Sequence, residues 1–341
     1  MKPQPRLKLL FSLCGDRNKA SSRVRGFWIA EELEKLGLHC SLRWKHSKLN
    51  LFFFAWEILR YDVVVFQKTY SRYHRWLMVL TNILGKRTFL DLDDAPSKTR
   101  SLRTLRNVEA MMRMADGVFV GSKNLLDYAK QHQPKSYLIP SSINLNYYSV
   151  AEGRSGNARV CLGWIGNGVY YKRDLIDIIA EPLKELASRY RIRFKIVGAC
   201  GVRELYDTFN AIPNLEIDFV DSIDWSNPCT VLKAIRDFDI GLYPLIVNDS
   251  NIYKCGFKAI EYMAIGIPVV SSPVAFNVDI IAHGEDGLLA DSKEEWTSAL
   301  SELICDVEKR RQMGEAGRKK VEEHFSTAQA AKKLLTIIAD Q

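Results

Sequence analysis

Several groups of residues in this chain have types and spacings suited to chemistry. One runs from Lys254 to Glu261. Gly256 opens a helical repeat in which the apolar residues Phe257, Ile260, Met263 and Ala264 recur at helical spacing. The first N–H groups of a helix lack intrahelical partners and carry the positive end of its dipole. An anion docked there would meet the amides of Gly256 and Phe257, with Lys254 and Lys258 adding charge. Glu261 lies three residues beyond Lys258, on the same face about one turn further in. A carboxylate at that depth suits the two hydroxyls of a ribose. The stretch therefore predicts a pocket for a nucleoside diphosphate group, and an amphipathic helix feeding a buried strand is the competing reading.

A further group is Asp91, Asp93 and Asp94, which crowd three carboxylates at the end of a predicted strand. Three readings stand side by side: a divalent-metal site of Asp-x-Asp type, carboxylates that bind acceptor hydroxyls, or a cap for the following helix. Nearer the N-terminus, Gly15 lets a substrate approach the backbone closely. Arg23 and Arg25 stand near a helix start where a phosphate could meet them; a surface arginine is the competing reading for Arg23 and the favoured one for Arg25. Lys68 lies in the loop Gln67–Ser71 at the carboxyl end of another predicted strand, a candidate acceptor-site edge.

The elements that must position these residues alternate strand and helix. Residues 6–13 read as a buried strand, followed by a helix from about Arg23 to Leu36, capped by Ser21 or Ser22. His39 to Arg43 and Val63 to Phe66 are strands. Between them lies a helix bearing Leu51, Phe52, Phe53, Phe54, Trp56 and Ile58, apolar nearly all round; it is either core or an aromatic face for a membrane interface beside Arg43, Lys45 and Lys48. A basic amphipathic helix ends at Gly85, and Ser136 to Ile139 is a strand. Residues 152–159 are Gly, Ser and charge, as in a linker. Strands then follow at Val160–Ile165, Phe194–Val197, Leu215–Phe219 and Ile240–Tyr243, and residues 293–338 read as helical. The order of glycines around Gly163, Gly166 and Gly168 is not G-x-G-x-x-G, so dinucleotide binding has weak support. Such an alternation predicts doubly wound parallel sheets, with ligands beyond the strand carboxyl ends.

The chain has 341 residues, enough for two domains with separate cores. Its net charge is +8, and residues 41–110 carry 13 Lys or Arg against 6 Asp or Glu, so the excess sits in the first half. A basic face of that kind suits anionic lipid or phosphorylated substrate; no nucleic-acid-binding module is recognisable. Seven scattered cysteines without a C-x-x-C pair imply a reducing cytoplasm and give no metal or disulfide framework. No run of 18 apolar residues appears, and the N-terminus reads as a first strand rather than a signal peptide.

The stretch Gly256-Phe257, Glu261 and Ala264-Ile265-Gly266-Ile267-Pro268-Val269-Val270 resembles the C-terminal signature of glycosyltransferase family 4, retaining sugar transferases of the GT-B fold. The resemblance is strongest from Gly241 to Leu289 and weakest before Thr88. It implies an α/β protein of two Rossmann-like doubly wound domains facing across a cleft: an acceptor domain over 1–150, a donor domain over 151–325, and a crossover helix over 326–341 packing back on the first. It implies transfer of a hexosyl group from a UDP- or GDP-linked sugar to a hydroxyl of a glycan or lipid-linked glycan, as in polysaccharide or lipopolysaccharide synthesis. Neither metal nor cofactor is implied. Gly166, Asn167, Lys172, Tyr253, Lys254, Gly256, Phe257, Lys258 and Glu261 fall on the donor side. Lys172, Lys258 and Glu261 carry the chemistry. Gly15, Arg23, Lys68, Asp93 and Asp94 fall on the acceptor side. Two positions depart from the family pattern: Tyr253 stands where the first of two glutamates is usual, and Asn167 where an arginine is usual. These departures keep two alternatives open, a non-catalytic partner subunit of another transferase and a sugar-nucleotide epimerase. The localisation implied is cytoplasmic, with peripheral attachment to the inner membrane face.

Overall fold

A computed structural model describes residues 7–45, 48–94, 101–149 and 159–340, with side chains from residue 52 onward in the second of these ranges. Ala95, Pro96 and the expected linker over 152–158 lie outside the described residues. The chain divides into two compact units. One comprises residues 1–144, 252–255 and 325–341; the other comprises 145–251 and 256–324.

The first unit is built on six parallel strands, β1 (Lys8–Leu13), β2 (His39–Arg43), β3 (Val63–Gln67), β4 (Arg87–Leu92), β5 (Gly117–Val120) and β6 (Ser136–Leu138), in the order β2-β1-β3-β4-β5-β6. Runs such as KLLFSL and VVVFQ are apolar almost without a break, because a parallel sheet is covered on both faces. Side chains alternate between the two faces. Leu10, Val64, Phe66, Leu90 and Val118 pack under the helices Lys48–Ile58, Arg72–Ile83, Leu102–Met114 and Lys123–Lys130. Leu9, Phe11, Val65, Phe89 and Phe119 pack under the helix Trp28–Lys35 and the chain's last helix, Thr327–Ala339. Arg87 Nη1 donates to the Ile338 carbonyl at 2.5 Å, tying that last helix to β4.

Local details depart from the sequence reading. Helical structure after β1 begins at Ala20, so Ser21 and Ser22 lie inside it and cap nothing. The entry is set by a turn in which Asn18 N and Lys19 N donate to Asp16. A π-helical stretch, Arg23–Phe27, follows. The extra residue in such a turn changes which face each later side chain takes, and it carries Arg25 inward. Residues 293–338, read as helical, form three helices, Lys293–Cys305, Val307–His324 and Thr327–Ala339.

The second unit repeats the plan with β7 (Val160–Ile165), β8 (Ile192–Val197), β9 (Glu216–Val220), β10 (Ile240–Tyr243), β11 (Val269–Ser271) and β12 (Leu288–Leu289), all parallel, in the order β12-β11-β10-β7-β8-β9. Trp164, Phe194, Phe209 and Trp296 fill its core. The chain reverses direction across this sheet between β7 and β10, the position at which doubly wound folds place ligands. Among the described residues, no helix is long and apolar enough to cross a membrane.

Candidate active site

In the second unit the loop after β7 is pressed against the loop after β8. Gly166 N donates to the Val197 carbonyl at 2.9 Å and Gly168 N to the Gly198 carbonyl at 2.7 Å. A Cβ on Gly198, whose φ is +88°, would stand 1.8 Å from the Gly166 carbonyl oxygen. Only glycine allows this approach. The helix Gly168–Ala187 starts four residues before Lys172, because Asn167 caps it by accepting from Val169 N at 3.1 Å. Asn167 thus has a structural task, and Lys172 falls in the helix's second turn, where its ammonium pairs with Glu204.

Lys258 comes from the helix Phe257–Met263 and lies over the carboxyl ends of β7 and β10. Its Cε is 2.8 Å from the point a Gly166 Cβ would occupy. Its ammonium sits 3.9 Å from the Tyr171 ring centroid, 5.0 Å from that of Tyr243 and 5.8 Å from that of Trp164. Three ring faces hold the cation in place without neutralising it, worth roughly 0.5–2 kcal/mol. Gly256, at φ +66°, precedes that helix, and a Cβ there would meet Ile280 Cδ1 at 2.1 Å. Glu261 is buried and accepts from the Tyr148 hydroxyl at 2.7 Å. Arg318 Nη1 in turn donates to the Tyr148 carbonyl at 2.6 Å. Asp174 receives Ile246 N at 2.8 Å and Asn251 Nδ2 at 2.9 Å; burial raises its pKa, and these bonds work in the other direction. Sequence reasoning missed Tyr148, Tyr171, Tyr243 and Asp174. Aromatic residues at strand ends and helix starts carry the same sequence signal as core packing.

The remaining predicted residues gather in the first unit. Arg25, expected on the surface, is 5% exposed. Its Nε and Nη2 grip the two Asp91 oxygens at 2.7 Å each, and Nη1 donates to the Ile139 carbonyl at 2.8 Å. Burial alone would lower the Arg25 pKa; Asp91 outweighs it and keeps the guanidinium charged. Arg23 is also buried, donating to the Arg17 carbonyl at 2.9 Å. Lys68, at φ +52°, is a non-glycine residue in the left-handed region, of the kind found where geometry is imposed by a site. Its ammonium pairs with Asp93 at 2.9 Å and with Asp94. Burial disfavours the charge on both Lys68 and Asp94. The attraction of Asp93 and Asp94 for the lysine, and of Lys68 and Lys254 for Asp94, wins, so the lysine's pKa lies well above its usual value and the aspartate's below the usual range. Gly15 packs on Lys19, whose ammonium donates to the Cys14 carbonyl at 3.3 Å. Gln67 Nε2 and Thr69 Oγ1 beside Lys68 are buried without a hydrogen-bond partner among the described residues.

Tyr253 and Lys254, expected on the donor side, belong to the first unit. The Ser122 hydroxyl donates to the Tyr253 carbonyl at 3.1 Å, the Tyr253 ring lies edge-on to Tyr128, and Lys254 pairs with Asp94 at 3.5 Å. Cys255 Sγ donates to the Asp93 carbonyl at 2.7 Å, in space that Gly121 leaves open.

Comparison with known proteins bears on the fold and on the second half of the chain. Residues 159–306 match the family model described as Glycosyl transferases group 1. Over 172 residues the chain is 34% identical to a D-inositol 3-phosphate glycosyltransferase of Corynebacterium aurimucosum, covering 48% of this chain and 39% of that protein. Over 182 residues it is 27% identical to the capsular polysaccharide biosynthesis glycosyltransferase CapM of Staphylococcus aureus, covering 50% of this chain and 43% of that one. The chain thus spans about half the length, or less, of these curated relatives. Among solved structures it superposes on the sucrose-phosphate synthase of Thermosynechococcus elongatus with a TM-score of 0.73, at 15% identity over 98% of this chain and 99% of that one. Anabaena Alr3699/HepE in complex with UDP and glucose gives 0.74, at 14% identity over 98% of this chain and 100% of that one. The fold is GT-B, two Rossmann-like units of parallel sheet.

Proposed function

We propose that this protein is a retaining, metal-independent glycosyltransferase that moves a hexosyl group from a UDP- or GDP-linked sugar to a hydroxyl of a glycan or lipid-linked glycan. The observation that carries the reading is the caged ammonium of Lys258, fixed beside Gly166 where the second sheet changes direction, within the segment matched by the glycosyltransferase model. The solved neighbour bound to UDP and glucose and the polysaccharide-synthesis relative support the same class of donor and product. In the proposed reaction the bond from the anomeric carbon to the diphosphate breaks, and the acceptor oxygen bonds to that carbon on the same face. The acceptor proton passes to a leaving phosphate oxygen. Negative charge grows on the diphosphate, and Lys258, Lys172 and the amides of Gly256 and Phe257 oppose it; such groups are worth several kcal/mol in a water-poor site. Glu261, oriented by Tyr148, binds the ribose. Gly15, Arg23, Lys68, Asp93 and Asp94 define the acceptor side, and the acceptor is held at the cytoplasmic face of a membrane.

The test is thermal stabilisation by a panel of UDP, GDP, ADP and their sugar conjugates. A nucleotide at about 100 times its Kd adds about 2.7 kcal/mol. Stabilisation by one base family that Lys258→Met and Glu261→Gln both reduce supports the donor site. Flat curves across the panel overturn it in favour of a non-catalytic partner subunit.

A further inference from the structure

The first unit carries two helices that are apolar on both sides. In the helix Lys48–Ile58, Phe54 and Ile58 are buried against the sheet, while Phe52 is 72% exposed and Phe53 and Trp56 are more than half exposed. Leu59, the next residue, is exposed as well. In the helix Arg72–Ile83, His74, Leu77, Met78 and Thr81 are buried, while Tyr73, Trp76, Val79 and Ile83 face solvent. Their spacing of three, three and four residues is a second apolar stripe opposite the first. The two helices pack side by side on one face of the sheet, so their outer stripes adjoin. Exposed apolar surface of this extent marks an interaction site on a soluble domain.

The charges around it select the occupant. Residues 48–87 contain seven Lys or Arg and two Asp or Glu. Of those two acids, Glu57 pairs with Arg43 and Asp62 accepts from Lys8 N at 2.9 Å. Arg72 and Arg75 are exposed beside Trp76, and Arg60 stacks 3.7 Å above the Trp56 ring. Tryptophan and tyrosine interleaved with arginine is the composition of surfaces that lie at the headgroup level of a bilayer. We infer that the outer stripes of these two helices dock this protein on an anionic lipid bilayer, with the aromatic rings at the acyl boundary and Arg60, Arg72 and Arg75 on the phosphates. The inference gives a surface to the membrane placement proposed above, and its test reads lipid binding without any sugar transfer, so the two fail independently.

The experiment is co-sedimentation of the full chain with vesicles of phosphatidylcholine alone and of phosphatidylcholine mixed with phosphatidylglycerol. Binding is expected to the mixed vesicles at low salt, and to weaken as salt shortens the Debye length from about 10 Å to about 3 Å. Arg72→Gln with Arg75→Gln should lower the partition coefficient about 25-fold, at about five-fold per basic residue. Trp56→Ser with Trp76→Ser should lower it at least about tenfold, with the melting temperature close to wild type. Brominated acyl chains should quench part of the wild-type tryptophan fluorescence, since Trp28, Trp164 and Trp296 are buried; this readout needs no variant. The inference is overturned by absence of binding to the mixed vesicles, by unaltered binding of the tryptophan double variant, or by absence of quenching. It is equally overturned if light scattering shows a dimer that the tryptophan substitutions convert to monomer, which would make the stripes an interface between copies of the chain.

Discussion

Replacing Gly198 by alanine tests whether the contact of two loops shapes the proposed donor pocket. Two terms add at this position. A residue with a Cβ at φ +88° carries the left-handed penalty of roughly 1–2 kcal/mol. The Cβ would also lie 1.8 Å from the Gly166 carbonyl oxygen, which is backbone and cannot swing aside; overpacking of that kind costs roughly 1–3 kcal/mol. The sum, about 2–5 kcal/mol, is a fall of roughly 4–20 °C in the melting temperature of a unit this size. Gly201 supplies the control. Its φ is +63°, but a Cβ there meets nothing within 4 Å, so Gly201→Ala incurs the first term alone. Calorimetry of both variants isolates the clash as their difference. Relief of that clash must displace Gly166, which packs on Lys258. Gly198→Ala should therefore weaken nucleotide binding by titration calorimetry below its melting transition, while Gly201→Ala should not. Equal melting temperatures for the two variants, or unchanged nucleotide affinity in Gly198→Ala, would refute the argument.

Lys258→Met keeps an unbranched chain among the three rings and removes the charge, so stability should change little while UDP affinity falls about 10- to 100-fold, the worth of one hydrogen bond to a charged group; titration calorimetry reads both arms. Arg25→Met alone should cost about 3–5 kcal/mol because it strands the Asp91 carboxylate, whereas Arg25→Met with Asp91→Leu should recover much of that loss in denaturant titrations. The Lys68–Asp94 pair predicts the limits of pH stability. Asp94 has a depressed pKa, so its stabilisation is complete above the unfolded value of about 3.9 and is lost as pH falls below it. Lys68 has a raised pKa, so its share holds below about pH 10.4 and disappears at higher pH. Lys68→Met should flatten both limbs of a melting-temperature profile; limbs identical to wild type would contradict the pairing.

How far the sequence was legible depended on whether the information was local. Both sheets follow largely from period and punctuation: buried parallel strands read as short apolar runs, and most lie within a residue or two of the reading because glycine, proline or a charged cluster bounds them; the two-residue β12 carries too short a run to be read as a strand. The Gly256–Val270 stretch was readable for the same reason, since one continuous segment supplies the turn, the helix and the next strand. What a local reading does not show is long-range. Arg25 looks like any arginine on an amphipathic helix, and two facts absent from its neighbourhood bury it: a π turn that shifts the helix face and a carboxylate 66 residues away. Tyr253 and Lys254 adjoin the donor motif in sequence, yet Ser122, Tyr128 and Asp94 hold them in the other unit. The aromatic helix over 48–58 offered core or membrane interface as alternatives, and the structure divides its side chains, with Phe54 and Ile58 inside and Phe52, Phe53 and Trp56 exposed. A period of 3.6 cannot show this, because a helix apolar all round has no preferred face until its neighbours are in place. Among its described apolar side chains, the helix lies on the sheet through Phe54, Ala55 and Ile58. Its remaining aromatic rings therefore contribute little to the folded state, and the bilayer inferred above would relieve their cost in water.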